Sequence, residues 1–275
     1  MAEIAARLAA AGIEDSAREA SWLLRRAASL SASALMTAPD APLGALAERV
    51  EAFARRRELG EPLSRIEGRR AFWSHEFAVT PDVLDPRADT ETLVSAALEA
   101  LAARRGQALR VLDFGVGSGA VLAALLSEWP NATGLGVDVS AAAAAVARDN
   151  LDALGLGARA QTRVGRWGEG IAGGFDVIVS NPPYIPSGEI AGLDREVREH
   201  DPLLALDGGP DGLDAYRALG PEIARLLAPA GRFFLEIGAG QGDEVAALLA
   251  GAGLAVTQRR RDLGGIERVL GGSLR

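Results

Sequence analysis

Two hydrophobic periods divide the chain. Over residues 2 to about 58, apolar side chains recur at helical spacing in a background rich in Ala, Leu, Arg and Glu, which predicts a small helical module. Ser16 followed by Glu19 reads as a capping box that opens the helix carrying Trp22, Leu23 and Leu24. Pro39, Pro42 and Gly44 break the next stretch, and a further helix runs to Arg55-Arg56-Arg57 before Gly60-Glu61-Pro62. The three arginines read most simply as a solvated helix end that complements the helix dipole, with a partner contact as the alternative. Residues 71–79 mix Phe72, Trp73, Phe77 and Val79 with polar residues, the pattern of a hairpin linking two domains, with the aromatics as core.

Beyond Asp89 strand and helix alternate. Strands are predicted at 109–114, 133–137 and 175–179, with helices at 120–128 and 141–154. A helix at 213–227, a strand at 232–237, a helix at 242–249 and two closing strands near 255–260 and 267–270 follow. Such alternation predicts an α/β fold, a mostly parallel sheet covered by helices on both faces. Ligands in that architecture lie beyond the carboxyl ends of the strands, near the topological switch point. The expected division is a helical domain at 1–70, a hairpin linker at 71–88 and a larger α/β domain at 89–275.

Composition narrows the function classes. With 275 residues, 48% of them hydrophobic, the chain has enough apolar material for one large domain or two. A net charge of -8 argues against a surface built to neutralise many phosphates, so stable nucleic-acid binding is not expected. There are no cysteines, which excludes disulfides, thiolate nucleophiles and Cys-ligated zinc. His75 and His200 are the only histidines and stand far apart in sequence, so both are expected to be structural and no metal site is expected. No run approaches the roughly 18 to 20 apolar residues that span a membrane, and no secretory signal pattern opens the chain. The expectation is a soluble, cytoplasmic monomer.

Chemistry concentrates at two strand ends. Asp113-Phe114-Gly115-Val116-Gly117-Ser118-Gly119 follows the first strand and opens a helix, and its alternate glycines allow a tight turn and close approach to a ligand. Such a loop serves NAD, a nucleotide or S-adenosylmethionine, or is simply a turn. The spacing G-x-G-x-G and the absence of G-K-[ST] weaken pyrophosphate and triphosphate binding. Asp138 ends the second strand, where a carboxylate can accept from both hydroxyls of an unphosphorylated ribose, which suits an adenosine without phosphates. Asp113 stands where the cationic amino-acid end of such a cofactor would lie, or else caps the loop. Trp167 is placed to pack on the adenine or to cover the sheet edge. Asn181-Pro182-Pro183-Tyr184 follows the strand 175–179 directly, and its rigid prolines lack N–H donors, which leaves carbonyls and the Asn181 amide free to grip a ligand.

With Gly115, Gly117, Gly119, Asp138 and the four-residue motif in place, the chain resembles class I S-adenosylmethionine-dependent methyltransferases acting on an amino group. Further segments resemble the HemK/PrmC family, protein-glutamine N5-methyltransferases that modify peptide chain release factors. These are Arg56-Arg57-Glu58-Leu59-Gly60-Glu61-Pro62, Pro86-Arg87-Ala88-Asp89-Thr90-Glu91, Asp211-Gly212-Leu213 and Glu236-Ile237-Gly238 with Gln241. One departure is Arg166, at a place where an acidic residue commonly faces the adenine amino group.

The resemblance implies a Rossmann-like, mostly parallel seven-stranded sheet behind a helical-bundle domain that docks the release factor. It implies S-adenosyl-L-methionine as methyl donor and the glutamine of a Gly-Gly-Gln loop as acceptor. Asn181, Pro182 and Tyr184 are then the catalytic candidates, joined by Pro183 in holding substrate. Asp113, Gly115, Gly117, Gly119, Asp138, Trp167 and Asn181 are the cofactor candidates. A glutamine nitrogen is a poor nucleophile because its lone pair is delocalised. The Asn181 oxygen and the Pro182 carbonyl are expected to accept its two N–H groups, with Tyr184 stacked on the amide plane. Asp89 or Thr90 is expected to cap the helix that begins at Glu91. Competing readings are a ribosomal-protein glutamine methyltransferase, an adenine-N6 DNA methyltransferase and a cofactor-binding protein without turnover.

Overall fold

A computed structural model of the protein describes residues 1–37 and 43–275, so the breaks expected at Pro39 and Pro42 lie outside the described residues. The chain forms two compact units, Met1–Gly68 with Asp194–His200, and Arg69–Leu193 with Asp201–Arg275.

The first unit is helical, as its periodicity predicts, with helices Ala2–Ala10, Ser16–Ala27, Ala32–Thr37, Ala47–Glu58 and Leu63–Glu67. Ile4, Leu8, Leu23, Leu24, Val50 and Ile66 form its core. Complete burial of one such leucine contributes about 1.5–3 kcal/mol, so a few suffice to hold short helices that would be marginal alone. Two local expectations give way to tertiary contacts. Ser16 is the first helical residue, and the cap position, Asp15, makes no side-chain cap bond. Glu19 is engaged elsewhere: Arg57 Nε and Nη2 donate to its carboxylate at 2.5 and 3.2 Å. The Arg55-Arg56-Arg57 cluster is therefore not simply a solvated helix end. Arg57 is only 5% exposed and also pairs with Glu196, which helps explain why residues 194–200 join this unit. Arg56 forks onto Glu61.

The second unit opens with a hairpin of β1 (Arg69–Phe72) and β2 (His75–Ala78). Phe72 and Phe77 are buried and meet edge to face at 6.3 Å, and His75 bonds the hydroxyl of Ser127 at 2.7 Å. Asn150 ties β2 to the body of the unit: its oxygen accepts from Ala78 N–H, and its nitrogen donates to the carbonyls of Ala78 and Ser118, all within 3.0 Å.

Behind the hairpin lies a seven-stranded sheet of β3 (Arg110–Phe114), β4 (Thr133–Asp138), β5 (Ala160–Val164), β6 (Phe175–Ser180), β7 (Leu227–Glu236), β8 (Leu254–Arg261) and β9 (Glu267–Leu274). Its order is β5-β4-β3-β6-β7-β9-β8, parallel except where β9 runs antiparallel between β7 and β8. The central strands β3, β6 and the carboxyl half of β7 are apolar on both faces because helices cover both. Val111, Val177 and Val179 pack with the helix Ala120–Glu128, while Leu112, Phe114, Ile178 and Phe233 pack with Tyr216, Leu219 and Ile223 of the helix Asp214–Leu226. Chain order reverses between β4 and β6 on either side of β3, which is the switch point. Phe114 pairs with both Val137 and Ser180, so the carboxyl ends of these three strands lie level and their loops share one crevice.

Candidate active site

The glycine loop is folded onto the end of β4 by its own backbone. Gly115, Gly117 and Gly119 have φ of 69°, 53° and 82°, a left-handed conformation that costs other residues roughly 1–2 kcal/mol each. This winding brings the Gly115 and Val116 N–H groups to the Val137 carbonyl at 2.8 and 3.0 Å. The third glycine also permits close packing, since a Cβ at Gly119 would sit 3.3 Å from the Ala147 backbone. Asp138 is anchored in the same turn, with Oδ2 accepting from Gly117 N–H at 3.0 Å and Oδ1 from Ser140 N–H at 2.9 Å. Each carboxylate oxygen keeps a second lone pair for a further donor. Burial pushes the Asp113 carboxyl well above its ordinary range, and the Asp138 charge adds to the shift.

Asn181 stands one residue beyond β6. Ser180 Oγ donates to the Phe114 carbonyl at 2.7 Å and locks that strand end to β3. Asn181 Nδ2 donates to Thr90 Oγ1 at 3.1 Å, which leaves Oδ1 as the end of the amide able to receive a donor. Thr90 therefore does not act as the expected helix cap: it makes no side-chain cap bond, and its hydroxyl serves a residue 91 positions away. Tyr184 is held through its backbone, for Gln241 Nε2 donates to its carbonyl at 2.9 Å. A Cβ at Gly212, where φ is 76°, would lie only 2.4 Å from that same carbonyl oxygen. Burial pushes the Tyr184 hydroxyl up to about 12.

A cavity of about 560 Å³ joins the two strand ends. Asp113, Gly115, Gly117, Asp138, Trp167, Asn181 and Pro183 line it, while Gly119, Pro182 and Tyr184 stand outside its lining. Trp167 has φ of 49°, a rare conformation for a bulky residue, and meets Phe114 edge-on at 6.3 Å. Arg166 lines the same cavity. The volume lies within the range of small-molecule sites. Its polar groups suit S-adenosylmethionine: a buried carboxyl for a cationic end, a second carboxylate with open lone pairs for hydroxyls, and a glycine crook whose first Cβ position faces open space.

Glu236, the last residue of β7, stands in a segment named above for its family resemblance but was given no role there. It is 2% exposed, and its Oε2 has no hydrogen-bond partner among the described residues. Burial pushes its carboxyl up to about 7, against opposing contributions from the Thr90 hydroxyl and the Arg268 charge. Its signal in the sequence is an acidic residue closing an apolar strand at the carboxyl edge of the sheet.

Residues 1–68 match the PrmC N-terminal domain family, and residues 88–193 match the methyltransferase small domain family. Over 265 residues the chain is 49% identical to the release factor glutamine methyltransferase of Rhodospirillum rubrum, which covers 96% of this chain and 81% of the relative. The chain belongs to the release factor glutamine methyltransferase family. The corresponding protein of Bradyrhizobium diazoefficiens is 46% identical over 97% of this chain and 91% of its own length. Among solved structures, a ribosomal protein L11 methylase from Lactobacillus delbrueckii subsp. bulgaricus aligns with a TM-score of 0.52 at 20% identity, over 72% of this chain and 84% of that one. That likeness concerns the fold alone, the seven-stranded sheet of class I methyltransferases.

Proposed function

We propose that this chain transfers a methyl group from S-adenosyl-L-methionine to the side-chain amide nitrogen, N5, of the glutamine in the Gly-Gly-Gln motif of peptide chain release factors. Its membership of the family supports the reaction class, and one observation supports the chemistry at this site. The Asn181 amide is oriented by Thr90 so that its oxygen is the end left to accept, in the same cavity as the glycine loop.

The residues divide the work. Gly115 and Gly117 would let the cofactor backbone approach, Asp138 would accept from the ribose hydroxyls, Asp113 would face the cationic amino-acid end and Trp167 would pack on the adenine. Bound there, the cofactor supplies an electrophilic methyl group on a sulfonium. Asn181 Oδ1 and the Pro182 carbonyl accept one N–H each from the glutamine amide, so its nitrogen is fixed with its π face toward the methyl and gains electron density. Pro182 is suited to this because it has no N–H and its ring fixes φ, so its carbonyl direction is rigid. Tyr184, held by Gln241, covers the amide plane and excludes water. Positioning two bound reactants in this way is worth roughly 7 to 11 kcal/mol of the barrier. The helical unit is the docking module for the release factor, in line with its match to the PrmC N-terminal domain.

Asn181→Ala is expected to lower turnover by roughly 10²-fold or more, the scale of removing one preorganised polar contact. Turnover near wild type at saturating cofactor would remove Asn181 from the role of amide acceptor.

A further inference from the structure

Glu236 and Asn181 are neighbours by sheet register. Ser180 pairs with Leu235, so the next residues on β6 and β7 emerge side by side at the carboxyl edge. Thr90 reaches the same point from another segment. Its hydroxyl accepts from Asn181 Nδ2 at 3.1 Å and faces the Glu236 carboxyl, as does the Tyr184 hydroxyl. Nearly all of this carboxyl is buried and one of its oxygens has no partner among the described residues, an arrangement that costs stability. A leucine would fill the place at lower cost. The carboxyl therefore stands where packing alone would not put it.

An asparagine side chain has nearly the same shape when its oxygen and nitrogen are exchanged, so sterics cannot choose its orientation. The hydroxyl proton of Thr90 can. When that proton is committed to an acceptor on Glu236, only lone pairs face Asn181, and only the Nδ2 end of the amide fits. Oδ1 then faces the cavity. With the hydroxyl reversed, the amide turns over and presents N–H groups to a substrate that itself brings N–H donors.

We infer that Glu236 is a positioning residue for methyl transfer, acting through the Thr90 hydroxyl to hold Asn181 with its oxygen toward the substrate amide. This rests on the reading of Asn181 as amide acceptor. What Glu236 supplies is an acceptor oxygen rather than a charge, so a neutral amide in its place preserves the function and an apolar side chain does not.

The test compares Thr90→Val, Thr90→Ser, Glu236→Leu, Glu236→Gln, Asn181→Ala and the Thr90→Val/Asn181→Ala double variant. Single-turnover methylation of a release factor is measured, with cofactor affinity and thermal unfolding on the same samples. Thr90→Val and Glu236→Leu should each slow transfer roughly tenfold or more, the scale of losing one hydrogen bond, with cofactor affinity unchanged. Thr90→Ser and Glu236→Gln should transfer at close to the wild-type rate, and the double variant should be no slower than Asn181→Ala alone. If Glu236→Leu fails to fold, Glu236→Met takes its place, with the same slowing expected. Wild-type rates for the apolar Glu236 variant or for Thr90→Val, or losses that multiply in the double variant, would overturn the inference while a slow Asn181→Ala leaves the amide-acceptor reading intact. An unimpaired Asn181→Ala would instead remove that reading, and the inference with it.

Discussion

Replacing Glu236 by glutamine should stabilise the protein at neutral and alkaline pH without lowering activity much. The folded protein holds this carboxyl at about 7, by burial first, while an exposed glutamate titrates near 4.5. Thr90, Tyr184, Arg268 and Asp89 face it, and the Tyr216 hydroxyl donates to its backbone carbonyl at 2.9 Å. Below pH 4.5 the group is protonated in both states and has no effect. Between 4.5 and 7 the unfolded chain releases the proton and the folded one keeps it, so stability falls as pH rises, and it levels off above 7. At 1.36 kcal/mol per pKa unit, the loss between pH 5 and pH 8 is roughly 2 to 3 kcal/mol. A glutamine carries no such proton. Urea unfolding of wild type and Glu236→Gln at pH 5, 6, 7 and 8 should show the variant gaining about that amount across the range, with the titration of all other groups cancelling in the difference. Parallel stability curves would refute the reasoning, because they would mean that the carboxyl is not desolvated in the folded state.

Two further outcomes are expected. Gly212→Ala forces a Cβ against the Tyr184 carbonyl in a left-handed conformation, so steady-state kinetics should show a fall in turnover of roughly tenfold, in line with a cost of about 1–2 kcal/mol, with cofactor affinity held. The raised Asp113 carboxyl must ionise to meet a cationic cofactor end, so affinity for S-adenosylmethionine should rise with pH and binding should release protons. Calorimetry in buffers of different ionisation enthalpy reads this directly, and Asp113→Asn should abolish the pH dependence.

Long periodic elements were legible in the sequence because their signal is local. The helix Ala120–Glu128 and the strands on either side of the glycine loop lie where the apolar pattern places them. Elements whose partners are remote were less so. The strand Ala160–Val164 has the exposed, polar face of an edge strand and offered no apolar run from which to read its bounds. The strand Leu227–Glu236 begins five residues before the reading from Arg232, since Ala228-Pro229-Ala230-Gly231 has the composition of a turn. At the site, Asn181 announced itself by standing between an apolar strand and two prolines. Thr90 and Glu236 did not, because a threonine before a helix reads as a cap, and nothing local reports the burial of a glutamate. Arg57 misled in the same way: a basic helix end looks solvated until a distant Glu19 is folded against it.

The proposed role of Asn181-Pro182-Pro183-Tyr184 is to cradle a protein glutamine amide. It is tested most directly by incubating the protein with methyl-labelled S-adenosylmethionine and two release factors, one with its Gly-Gly-Gln loop intact and one with that glutamine replaced. Label is expected on the intact loop alone, located on the glutamine side-chain nitrogen by fragment mass spectrometry. Equal labelling of both proteins, or label at any other residue, would contradict it.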